Sequence, residues 1–108
     1  MQEGLYKVEF HTVHGTGIGV IYACAGKLHG GNSAFAYKGS YSEDGKDIHA
    51  RVSTERHTPD PAFPAIFGID MVTVTLKGRD NGGIVDFEGN ALQAPGVALK
   101  ATLIRISD

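Results

Sequence analysis

The chain has 108 residues, the length of one domain, and 42% of them are hydrophobic, which excludes an intrinsically disordered protein. The formal net charge is −2, from ten Lys and Arg against twelve Asp and Glu, so the sequence lacks the positive excess that draws proteins to nucleic acid. The single cysteine, Cys24, excludes an internal disulfide and favours a reducing compartment.

The amino-terminal residues and the apolar runs bear on the cellular location of the protein. Residues 1–7 lack the basic region and apolar stretch of a signal peptide, so we expect none. The longest apolar runs are far shorter than the roughly twenty residues that a membrane-spanning helix needs. We therefore expect one cytoplasmic domain over residues 1–108 that has no membrane partner.

Short segments of alternating apolar and polar residues fill the chain from Gly4 to Ile106, and none has a helical period. The eight predicted strands are residues 5–13, 17–24, 28–31, 34–42, 47–54, 70–78, 84–92 and 97–106. In the first of them, Tyr6 and Phe10 share one face and Lys7 lies on the other. Such alternation predicts strands with one buried and one solvated face.

The second predicted strand contains glycines at alternate positions. Ile18, Val20 and Tyr22 share one side of it, and Gly17 and Gly19 share the other. Glycine weakens a strand, so we expect these two positions to mark a bend or a close approach of another part of the chain.

The turn residues complete the pattern. Asp44-Gly45 is a strong hairpin signal between the fourth and fifth strands. Residues 55–69 hold three of the four prolines, which predicts an irregular connection between the fifth and sixth strands. Within it, residues 64–67 followed by Gly68 predict one helical turn. We expect this connection to close one end of the fold with three apolar side chains, those of Phe63, Ile66 and Phe67.

Consecutive strands joined by short turns predict an all-β fold, an eight-stranded antiparallel up-and-down β-barrel. A barrel of this size is filled by its own side chains or holds one small ligand. A small apolar ligand is thus an alternative function. The aromatic residues that would line such a cavity, or fill the interior instead, are Tyr6, Phe10, Tyr22, Phe35, Tyr37 and Phe87.

The spacing of reactive side chains does not suggest catalysis, so we expect neither an enzyme nor a cofactor. The five histidines lie on separate segments without a shared ligand spacing, which argues against a metal site. Cys24 is expected to be a small buried hydrophobe near a strand end. Ile104 and Ile106 are apolar on an outward face, which predicts a homodimer interface.

Four stretches of the first fifty residues, in order and in spacing, resemble the GrlR family of negative regulators of type III secretion. The stretches are Gly4-Leu5-Tyr6 leading to Val8 and Phe10, then residues 26–32 (Gly-Lys-Leu-His-Gly-Gly-Asn), then Tyr37-Lys38-Gly39, and then Ser42-Glu43-Asp44. Beyond Thr54 only the strand pattern matches. The resemblance implies a lipocalin-like (calycin) barrel that dimerises.

The resemblance also implies a function for the turn after the fourth strand. Members of that family bind a transcriptional activator and block it, and an exposed acidic turn is implicated in the contact. The matching residues here are Glu43, Asp44 and Asp47. Gly45 and Lys46 interrupt the acidic run, which removes one negative charge and adds a positive one. We therefore expect the partner contact to be weaker than the family's, because exposed charges chiefly steer association.

Overall fold

The computed structural model describes all 108 residues and is a closed barrel in which each strand pairs with the next and β8 returns to pair with β1. The strands are β1 (Gly4–Thr12), β2 (Gly15–Cys24), β3 (Lys27–Gly31), β4 (Phe35–Asp44), β5 (Asp47–Arg56), β6 (Met71–Asp80), β7 (Ile84–Ala91) and β8 (Ala94–Ser107). All eight pairings are antiparallel. The prediction of an all-β, eight-stranded up-and-down barrel is confirmed, and the architecture is consistent with a lipocalin-like fold.

The up-and-down order gives the barrel two different ends. The connections that follow β1, β3, β5 and β7 lie at one end, here called the mouth. The connections that follow β2, β4 and β6 lie at the other end, here called the base, together with both termini. The chain has no helix that could cross a membrane.

The interior is built from the inward residues of all eight strands, and no buried residue is polar or charged. Ile48, Ala50 and Val52 on β5 alternate with exposed neighbours, as their sequence pattern predicts. The pairing of β7 with β8 shifts register between Asn90 and Ala91, which makes the ladder irregular at this step.

The orientation of β2 follows from the two interior glycines. An added Cβ on Gly17 would overlap the Phe10 ring, and one on Gly19 would lie 2.6 Å from the Tyr37 hydroxyl oxygen. These glycines therefore face inward, where they leave room for two aromatic rings that pack edge to face at 5.7 Å. Because side chains alternate along a strand, Ile18, Val20 and Tyr22 face outward.

Candidate ligand cavity

A cavity of about 280 Å³ lies in the mouth half of the barrel. Most of the residues that line it are apolar, and none is charged. The wall includes Val8, Phe10, Leu28, Phe35, Tyr37, Val52, Val74, Phe87, Leu99 and Leu103. The side chains of the eight strands therefore leave an apolar space unfilled in this half of the barrel.

The connection between β5 and β6, residues 57–70, contributes to the cavity wall and is here called the covering segment. It holds two turns, closed by hydrogen bonds from the Phe63 amide to the Asp60 carbonyl (3.0 Å) and from the Gly68 amide to the Ala65 carbonyl (2.9 Å). It contains no helix, so the helical turn predicted over residues 64–67 is absent and the connection is a Pro-rich loop. Ile66 is buried in the core, and Phe63 and Phe67 line the cavity beside it.

Arg56, the last residue of β5, attaches the covering segment to the barrel. Its Nε donates to the Asp70 carboxylate at 2.7 Å, and a second guanidinium nitrogen donates to the Phe63 carbonyl at 3.0 Å. The guanidinium carbon lies 4.4 Å from the centre of the Phe35 ring, in cation–π contact. On the other side of the mouth, the Thr12 hydroxyl donates to the Ile66 carbonyl at 2.6 Å. The segment is thus held at both ends and at its middle.

The polar groups of the cavity wall are few. They belong to Thr16, Asn32, Tyr37 and Thr54. The Asn32 side chain donates to the Ile18 carbonyl at 2.9 Å and to the Tyr37 hydroxyl oxygen at 3.0 Å. Burial raises the pKa of Tyr37 well above its ordinary value, since the phenolate would lose the water that stabilises it.

The structure places the six aromatic residues of the sequence prediction in three different environments. Phe10, Phe35, Tyr37 and Phe87 lie in the cavity wall. Tyr6 is fully buried but belongs to the base, where its hydroxyl donates to the Gln2 carbonyl. Tyr22 is 43% exposed on the exterior of β2, so its expected contribution to a cavity is wrong. The reason is the inward orientation of Gly17 and Gly19 described above.

The acidic turn lies at the base, between β4 and β5, and its three carboxylates have different partners. Glu43 contacts the amino-terminal ammonium of Met1. Asp47 lies 3.1 Å from the Arg79 guanidinium and 3.8 Å from the Lys77 ammonium. Asp44 is exposed and makes no ion pair. Most of the turn's negative charge is therefore balanced within the chain.

The outward residues of β8 belong to a wider apolar surface that the sequence did not reveal. Ile106 is 54% exposed, and Ile104 is half-buried beside Ile84 of β7, its partner in the strand register. Lys7 of β1 separates Ile104 from Val20 of β2, which is also exposed. The apolar exterior is thus centred on β7 and β8, and Val20 of β2 lies beyond a charged residue of β1.

Two sequence expectations concern reactive or metal-binding groups. Cys24 is exposed at the end of β2, so the prediction that it is buried is wrong. It lies on the outward side with Tyr22, for the same reason of strand alternation. Groups of three His, Cys, Asp or Glu side chains that could hold a metal ion together do not occur.

No protein-family model matches the chain, and no curated protein matches it at a significant level.

Proposed function

We propose that the barrel binds a small apolar molecule in its interior cavity. The observation that supports this most directly is a space of about 280 Å³ whose wall is apolar and uncharged. An engineered apolar cavity of about 150 Å³ stays dry and binds benzene. At the same cavity volume per non-hydrogen atom, this cavity suits a molecule of about eleven such atoms. Apolar pockets with a few polar groups are the usual sites of small-molecule binding.

The size of the cavity also sets the expected affinity. At about −0.5 kcal/mol per non-hydrogen atom, a molecule of this size would bind with about −6 kcal/mol, which is a Kd of tens of micromolar. Butyrophenone, an aromatic ketone with a short alkyl chain, is a soluble probe of suitable size. Isothermal titration calorimetry of the purified chain with butyrophenone measures this affinity directly.

Two variants test whether the interior is the binding site. Ala101→Leu places a larger side chain in the cavity wall, and Ala98→Leu makes the same change at an exposed position of the same strand. We expect Ala101→Leu to weaken butyrophenone binding at least tenfold and Ala98→Leu to leave it unchanged. Ala50→Leu, on the wall contributed by β5, repeats the test if the first variant unfolds. An absence of binding to the folded wild type, or equal binding by all folded variants, would reject the proposal.

A second proposed function is regulation by binding a protein partner through the acidic turn. It is supported by the resemblance to the GrlR family and by the exposure of residues 42–46 at the tip of the hairpin. In this proposal the chain is a cytoplasmic repressor that captures a transcriptional activator. Asp44 is the carboxylate with no partner inside the chain, so it is the strongest candidate for the contact.

Charge reversal tests the acidic turn. The test measures the rate at which a candidate transcriptional activator associates with the chain. It compares Asp44→Lys with Glu55→Lys, since Glu55 is an exposed residue of β5 that makes no ion pair. We expect Asp44→Lys to slow association and the control to bind normally, because exposed charges act mainly on the rate of encounter. Equal association rates for the two variants would argue against a contribution from this turn.

We further propose that two copies of the chain associate through the apolar exterior around Ile104 and Ile106. Exposed apolar residues in a group often mark interfaces, and a two-fold contact is the commonest form. Light scattering would detect the dimer, and Ile106→Lys should dissociate it. Val13→Lys, at an exposed apolar position in the turn after β1, is the control and should leave the dimer intact. A wild-type chain that stays monomeric at high concentration would contradict this.

A further inference from the structure

The Tyr37 hydroxyl is a buried hydrogen-bond donor in the cavity wall whose proton has no acceptor in the protein. The side chain is 4% exposed and lines the cavity. Its single hydrogen bond comes from the Asn32 side-chain nitrogen at 3.0 Å, in which the phenol oxygen is the acceptor. Buried polar groups normally use their donors, so an unused donor on a side chain that lines an apolar cavity is a candidate partner for a ligand.

The Asn32 side chain fixes the direction of that hydrogen bond. Its amide oxygen accepts from the backbone amides of Ala34 and Phe35, each at 2.9 Å. The nitrogen therefore points to the Ile18 carbonyl and to the Tyr37 oxygen, at 2.9 and 3.0 Å. The amide nitrogen and the amide oxygen of Asn32 each make two hydrogen bonds. Rotating the amide group so that its oxygen accepts the Tyr37 proton would break them.

Two further features keep the hydroxyl in place and protonated. A Cβ on Gly19 would lie 2.6 Å from the Tyr37 oxygen, so only glycine at this position leaves the hydroxyl where it is. A tyrosine phenol is protonated at neutral pH, and burial raises the pKa of Tyr37 further. The group is thus a fixed donor.

The rest of the wall restricts the charge of the ligand. None of the lining residues is charged, so an ionised head group would leave water without any counter-charge in the cavity. A neutral acceptor such as a carbonyl oxygen needs no counter-charge and can accept a hydrogen bond from the Tyr37 hydroxyl.

We propose that the cavity selects uncharged apolar molecules that carry one hydrogen-bond acceptor, and that the Tyr37 hydroxyl donates to this acceptor. The inference rests on the proposed function of the cavity and names the ligand class that the cavity would take.

Three related probes separate this inference from simple apolar binding. Butyrophenone carries a carbonyl oxygen, butylbenzene has no polar atom, and 4-phenylbutyrate is ionised at neutral pH. Tyr37→Phe removes only the hydroxyl, and Asn32 keeps its bond to the Ile18 carbonyl. Tyr41→Phe is the matched control, because Tyr41 packs against the core without lining the cavity.

Calorimetry of each variant with each probe gives the coupling between the hydroxyl and the ligand oxygen. We expect Tyr37→Phe to weaken butyrophenone binding about fivefold and to leave butylbenzene binding unchanged or tighter. Tyr41→Phe should change neither, and 4-phenylbutyrate should bind the wild type at least tenfold more weakly than the ketone.

The other outcomes separate the two proposals. Equal effects of Tyr37→Phe on ketone and hydrocarbon, or no effect on either, would overturn the hydrogen bond while the cavity remained a binding site. Binding of 4-phenylbutyrate as tight as that of the ketone would overturn the selection for uncharged molecules. If the folded wild type bound neither uncharged probe, the proposed function and this inference would fall together. Thermal unfolding of each variant shows that the comparison is made between folded proteins.

Discussion

Replacing Arg56 with alanine should release the covering segment while the barrel stays folded. The Arg56 side chain is 17% exposed, and its guanidinium donates to the Phe63 carbonyl in a charge-assisted bond of about 1.5 kcal/mol. Its pair with Asp70 contributes less than about 1 kcal/mol, since that carboxylate is 66% exposed. The contact with the Phe35 ring adds about 0.5–1 kcal/mol. The expected loss is therefore about 2–3 kcal/mol, which is about 30- to 150-fold in the opening equilibrium of the segment.

Amide hydrogen exchange measures this opening. The Phe63 and Gly68 amides are bonded within the covering segment, so their exchange rates should rise by the same factor in Arg56→Ala. Amides in the centre of β5 should change much less. Arg51→Ala is the control, because Arg51 is exposed on the same strand and makes no side-chain hydrogen bond or ion pair. The reasoning would be refuted if the two variants exchanged equally at Phe63 and Gly68.

Three further predictions concern stability and exposure. Gly89→Ala should unfold at a temperature about 10–20 °C lower, because its Cβ would overlap the Thr75 carbonyl of the neighbouring strand, whereas Gly96→Ala, with open space around its Cβ, should cost nothing. Because Tyr37 has a raised pKa in the folded state, the unfolded chain releases that proton first, so stability should fall above about pH 10, by about 1.4 kcal/mol per pH unit from this group. Alkaline denaturation of Tyr37→Phe should show a correspondingly shallower slope. Cys24 should react with a maleimide reagent in the folded protein as fast as in the unfolded one, and slow labelling of the native state would contradict its exposed position.

The barrel itself could be predicted because the hydrophobic period of two is preserved in most strands. In β5, Ile48, Ala50 and Val52 alternate with polar residues, and burial follows that alternation. The Asp44-Gly45 turn and the irregular step near Asn90 also carry local signals, a hairpin dipeptide and a break in parity. Each of these features is determined by residues that are adjacent in the chain, so the sequence pattern is enough to predict it.

The direction of β2 could not be predicted from its own residues. Hydropathy favours placing Ile18, Val20 and Tyr22 inside, but the space inside is taken by rings from β1 and β4. Gly17 and Gly19 did predict a close approach of another part of the chain. They did not predict which side chains would approach. The cavity is likewise a property of all eight strands together. Whether side chains fill a barrel depends on their packing across it, which alternation along one strand does not describe.

The mouth and the acidic turn lie at opposite ends of a wall made by β4 and β5, two paired strands of ten residues each. Ten extended residues span about 33 Å. A protein seated on the hairpin would therefore leave the cavity sterically free, and a molecule entering the cavity would not displace that protein. A ternary complex is therefore geometrically permitted.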